Sequence, residues 1–156
     1  MMYGSFVNRI MESGRIVDDT KIVVGLGATV CHYSDRGPVT VVAVLRGKDG
    51  RVTEIYTQGD HVGPNKLVWP AQDYDITPVD PEGTEYAWID GVLRRRLPLA
   101  SGWDPTPLRV QTWRVDRNGR LRSTYVNENG RRVMSPKNGG SGLALGSRDY
   151  YQDPSF

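Results

Sequence analysis

The chain has 156 residues, enough for one domain, and only 38% of them are hydrophobic, so the core is modest or shared. Overall charge is nearly balanced, with 20 Lys+Arg against 18 Asp+Glu, but the distribution is not. Residues 91–137 hold ten arginines and Lys137 against Asp104, Asp116 and Glu128, a net of +8, and the remainder carries −6; such a field selects anionic partners.

The pattern predicts a mainly β protein. Residues 5–12 read as a short N-terminal helix, with Ser5 as N-cap, Phe6, Ile10 and Met11 on one face and Gly14 as the stop. From Val23 the signal changes to strands. Residues 28–33 form a β-type run, and Ser34 to Pro38 is dense in turn formers. Val39 to Leu45 is nearly continuous in β-branched residues, as in a strand buried on both faces. Lys48-Asp49-Gly50 is a turn, and Arg51 to Thr57 returns as its hairpin partner. A loop from Gly59 to Pro70 precedes a short strand at 72–76. That rhythm is the one expected of a small SH3-like barrel, with residues 1–76 as N-terminal segment and barrel core.

Residues 77–107 are rich in proline and acid and read as an arm, with a strand at Tyr86-Ala87-Trp88-Ile89 ending at Asp90-Gly91. Residues 108–156 read as a basic β-meander with an aromatic tail. Asn118-Gly119 predicts a two-residue hairpin turn, and Asn129-Gly130 a second. Period 2 puts Arg109, Gln111 and Trp113 on one face and Val110, Thr112 and Arg114 on the other. The three regions read as one domain overall.

Catalytic and metal chemistry find little support. The single cysteine, Cys31, sits in an apolar run as a small core residue, and no Cys–His spacing suits zinc. His32 and His61 are the only histidines. No nucleophile–base pair, phosphate loop or metal motif stands out, so the expectation is a non-catalytic protein without a cofactor. No stretch approaches the ~20 apolar residues of a membrane span, and the N-terminus lacks a signal-peptide core.

The binding candidates are arginines and aromatics. Arg94-Arg95-Arg96 is a solvated run, an anion contact or half of an interface with an acidic surface. Trp113 among Arg109, Arg114 and Arg117 is the mixture that stacks a base and holds phosphate, or else a core tryptophan with arginines around it. Tyr33 and Arg36 at a barrel mouth, and Arg131 and Arg132 on the meander, complete the set. Together the basic residues are expected to form one continuous positive surface. Lys137 to Gly142 is a flexible linker or an anion nest.

One resemblance gathers several of these residues. Gly27-Ala28-Thr29-Val30, Tyr33-Ser34-Asp35-Arg36, Thr40-Val41-Val42, Gln58-x-Asp60, Gln72-Asp73-Tyr74 and the ending Leu145-Gly146-x-Arg148-x-x-Tyr151-x-Asp153-x-Ser155-Phe156 form the pattern. It resembles an uncharacterised group of short proteins encoded by bacteriophages and prophages. The match spans roughly 23–76 and 140–156 and implies an origin rather than a mechanism. It also implies an ordered terminus, docked on its own barrel or on a neighbouring subunit.

The function expected is therefore a phage-type binding protein in the host cytoplasm, a homo-oligomer that recognises an anionic ligand and counteracts host defence. The ligand is a nucleic acid or a nucleotide-like signalling molecule. The alternative is a protein–protein module, either a host-protein inhibitor or a virion assembly component.

Overall fold

The computed structural model describes residues 9–32, 35–64, 74–81, 86–89, 92–95, 110–136 and 140–151. In chain order they form β1 (Met11–Glu12), β2 (Arg15–Ile16), a 3-10 turn (Asp19–Lys21), β3 (Gly27–His32), β4 (Asp35–Arg46) and β5 (Val52–Gly59). There follow β6 (His61–Pro64), β7 (Tyr74–Thr77), β8 (Tyr86–Ile89) and β9 (Val92–Arg95). The chain closes with β10 (Val110–Val115), β11 (Leu121–Val126), β12 (Arg132–Met134) and β13 (Gly142–Leu145). Seven strands build one curled antiparallel sheet in the order β12-β11-β10-β5-β4-β3-β13, a half-barrel. Thus β5 pairs onward with β10, and β3 to β5 share their sheet with the meander. The pairs β1-β2, β6-β7 and β8-β9 are separate hairpins.

The inner face of the sheet is the main core. Ile22, Ala28, Val39, Val41, Ile55 and Trp113 pack there, with Ile10 and Leu143 closing the open side. Trp113 is fully buried, and its indole Nε1 donates to Thr57 Oγ1 at 2.9 Å. The N-terminal segment plugs this concavity and so is not the expected helix. Met11–Glu12 is a strand paired with Arg15–Ile16 across Ser13-Gly14, and both turn residues have positive φ (51° and 78°). That is the two-residue turn matching strand twist. Residues 5–8 lie outside the described residues.

Register explains two further departures. The run expected as a turn, Asp35 to Pro38, belongs to β4, with His32 opposite Asp35 and Thr29 opposite Pro38. Proline is tolerated because β5 pairs with β4 only from Val39↔Gly59 onward, so no strand faces the missing N–H. A β-bulge between Val41 and Ala43 places Val42 and Ala43 together on the outer face, in a second cluster with Tyr56 and Leu93. Pro38 to Val42 is buried throughout, but Ala43 and Val44 are half-buried and Leu45 is exposed, so the strand expected to be covered on both faces from Val39 to Leu45 is so only in its first part. Within the expected loop at 59–70, His61–Pro64 is instead a strand, paired with Tyr74–Thr77.

The hairpins of the meander turn at the expected dipeptides but with three-residue loops. Asp116 N–H donates to the Arg120 carbonyl at 2.8 Å and Gly119 N–H to the Asp116 carbonyl at 3.0 Å. Asn127, Gly130 and Arg131 repeat this pattern, as do Gly47, Gly50 and Arg51. Only the glycine of each loop has positive φ, so Asn118 and Asn129 do not form the primed two-residue turn. Acidic or amide side chains stiffen the two later loops: Asp116 Oδ1 accepts from Asn118 and Arg120 N–H, and Asn127 Oδ1 from Asn129 and Arg131 N–H.

Burial would raise the carboxyl pKa of Asp116. The Arg120 and Asn118 amides and the Arg122 guanidinium outweigh it and hold it below the usual range. Its stabilisation is therefore present above the unfolded carboxylate pKa and lost as pH falls through the lower folded value. Asp116→Ala should lower unfolding free energy by about 1–3 kcal/mol at pH 7. Asp116→Asn should lose less, because Asn127 already does the same work in the next turn. Urea titrations of the wild type and both variants from pH 7 to pH 2 check this, and the wild type–Asn gap should close at the acid end.

Candidate anion-binding face

The outer face of the sheet carries two polar clusters with Val42, Ala43, Tyr56, Val110 and Leu93 between them. The first cluster fastens the C-terminal segment. Asp60 has a fully buried side chain; Oδ2 accepts from Arg148 Nε at 2.9 Å, and Oδ1 accepts from Thr40 Oγ1 at 2.6 Å and Val79 N–H at 3.0 Å. Arg148 Nη2 also donates to Thr40 Oγ1 at 3.0 Å. Gly27 makes room for that guanidinium, since a Cβ there would lie 2.5 Å from Arg148 Nη1. Beyond it, Arg36 pairs with Asp149 at 2.9 Å and exchanges both backbone hydrogen bonds with Tyr151. Thr29 Oγ1 donates to the Ser147 carbonyl.

Gly27, Thr29, Arg36, Thr40, Asp60, Gly146, Arg148 and Tyr151, scattered in the sequence pattern, thus meet along one strap. The tail docks on its own sheet as far as Tyr151. Phe156 lies outside the described residues.

The second cluster lies on β5, β10 and β12. Cross-strand register sets Arg114 beside Glu54 and Thr112 beside Tyr56. Arg114 Nε donates to Glu54 Oε1 at 3.3 Å and Arg132 Nη2 to the same oxygen at 2.5 Å. Arg132 Nη2 also donates to Tyr56 Oη at 3.1 Å, and its guanidinium lies 5.5 Å from that ring centroid. Burial pushes the Tyr56 phenol up, with Arg132 opposing. Two guanidinium groups share one carboxylate, so the cluster keeps a formal charge of +1. Arg132 Nε is buried without an acceptor, and Gln58 Oε1, on the same face, without a donor.

The predicted binding residues separate accordingly. Arg114 and Arg132 converge on Glu54. Trp113 points to the inner face and is fully buried, so it offers no stacking surface. Arg36 is held by Asp149. Arg117 and Arg131 are exposed at hairpin tips on opposite ends of β11, so the described arginines do not form one continuous patch. Arg94 and Arg95 lie on β9, opposite Ala87 and Tyr86. Tyr33, Arg96 and Arg109 lie outside the described residues. Sequence reading missed Glu54 and Tyr56 as partners, although the alternation of 52–58 places both with Gln58 on one face.

No family model, curated protein or solved structure matches this chain.

Breaking a buried ion pair by removing one partner costs about 3–5 kcal/mol. Asp60→Asn should therefore free the strap. Hydrogen exchange at residues 143–151 should rise by orders of magnitude, while β10 and β11 stay protected. Exchange rising equally everywhere would mean that the pair holds the whole sheet.

Proposed function

We propose that the protein is a non-catalytic binding protein that takes an anionic ligand on the outer face of its basic meander. The observation that carries this reading is the sharing of Glu54 by Arg114 and Arg132, which leaves a net positive charge on two half-buried guanidinium groups beside the Tyr56 ring. Within residues 110–136, six arginines face only Asp116 and Glu128, so the surrounding field has the same sign. Together with the phage-type pattern of the strap residues, this suits a short phage protein that sequesters a nucleotide-like signalling molecule or a nucleic acid in the host cytoplasm, as an oligomer that counteracts host defence. The finer likeness to an SH3-type barrel is part of the same proposal.

A second reading is supported by a different observation. Tyr125, Val126 and Met134 are exposed apolar side chains beside edge strand β12, and such an edge suits a protein partner. Salt separates the two. Phosphate contacts release counterions and weaken steeply with salt, whereas apolar edge pairing does not.

Retention on heparin at low salt should be clear for the wild type and should fall for Arg131→Glu, an exposed tip residue whose replacement leaves the core alone. Wild-type protein passing straight through removes the anion reading. Retention of a protein partner that persists at about 1 M NaCl and is lost in Val126→Asp favours the second.

A further inference from the structure

The Glu54 cluster has donors to spare, and they are arranged for one kind of ligand. Arg114 spends Nε on Glu54 and Nη1 on the Arg132 carbonyl at 3.2 Å, which leaves Nη2. Arg132 spends only Nη2, which leaves Nη1 and the orphaned Nε. The orphaned Nε has no exposed surface, so a ligand oxygen reaches it only if the side chain turns. The side chains of Arg114 and Arg132 are 36% and 34% exposed, so their guanidinium ends can turn toward an incoming anion. Glu54 at 11% stays beneath them.

We infer that Arg114 and Arg132 form a clamp for a phosphate dianion, with Glu54 as a built-in competitor that sets the charge threshold for entry. This deepens the anion-binding reading and rests on it. A carboxylate shared by two guanidinium groups leaves +1, too little to hold a single detached monoanion against water, whereas a polyanion such as heparin adds its neighbouring charges. A phosphate monoester, at about −1.5 to −2 near neutral pH, gains from both arginines. Its oxygens accept from Arg114 Nη2 and from Arg132 Nη1. The recognised class is thus a phosphate monoester.

The test is a titration with inorganic phosphate at constant ionic strength, followed by 31P NMR, with acetate as the monoanion control. The wild type should bind phosphate and not acetate. Glu54→Gln should bind phosphate about three- to tenfold tighter, because one like charge is removed at close range. Arg132→Gln should bind at least tenfold more weakly. If Glu54→Gln fails to fold by circular dichroism, Arg114→Gln, which keeps a neutral Glu54–Arg132 pair, should abolish phosphate binding. Unchanged affinity in folded Arg132→Gln or folded Arg114→Gln overturns the clamp. So does weaker binding in folded Glu54→Gln. Heparin retention without phosphate binding by the wild type sinks the clamp alone. Loss of both sinks the anion reading as well.

Discussion

The contact that ties the C-terminal segment to the sheet, and four distant stretches of chain to one another, is the pair of buried Asp60 and Arg148. Asp60 follows the last residue of β5, and its backbone N–H donates to the Pro38 carbonyl at 3.0 Å. Its carboxylate gathers Thr40 from the middle of β4, Val79 from beyond β7, and Arg148 from the C-terminal segment. A charge with no exposure needs such complete satisfaction, since desolvation would otherwise dominate. Gly27 is the steric counterpart: without a side chain there, the guanidinium reaches Asp60. One carboxylate thus fixes how four distant segments meet, and the tail completes the stretch of β4 that β5 leaves uncovered.

The second polar cluster has a different character. The Asp60 pair balances its charge and leaves no buried polar atom orphaned. The Glu54 cluster does neither. It has two cations on one carboxylate, and an N–H without an acceptor. Buried ionic groups contribute little to stability compared with apolar packing of the same volume. An unbalanced cluster on a half-open face therefore reads as a place for something else to bind, whereas the balanced one reads as a fastening.

Much of this was legible in the sequence. The strands around Val39, Ile55, Thr112 and Tyr125 follow from β-branched runs and alternation, and the turns at Gly50, Gly119 and Gly130 from their dipeptides. The loop length was not legible, because Asp116 and Asn127 act from outside the dipeptide. Gly37-Pro38 reads locally as a turn; pairing with Val30 and Thr29 of β3 makes it a strand, and the absence of a β5 partner there lets the proline in. Trp113 obeys period 2, but the sequence does not say which face is inside. The two ion-pair clusters join residues 60 with 148 and 54 with 132, and no local pattern encodes contacts across such separations. The residues of the strap were visible as a pattern, and their meeting place was not.

The most direct measurement of the division between a fastening and a binding face is NMR of the arginine Nε–Hε groups during titration with a short heparin oligosaccharide. Shifts at Arg114, Arg131 and Arg132, with Arg36 and Arg148 unmoved, are the predicted result. Shifts confined to Arg36 and Arg148, or none at saturating ligand, would contradict it.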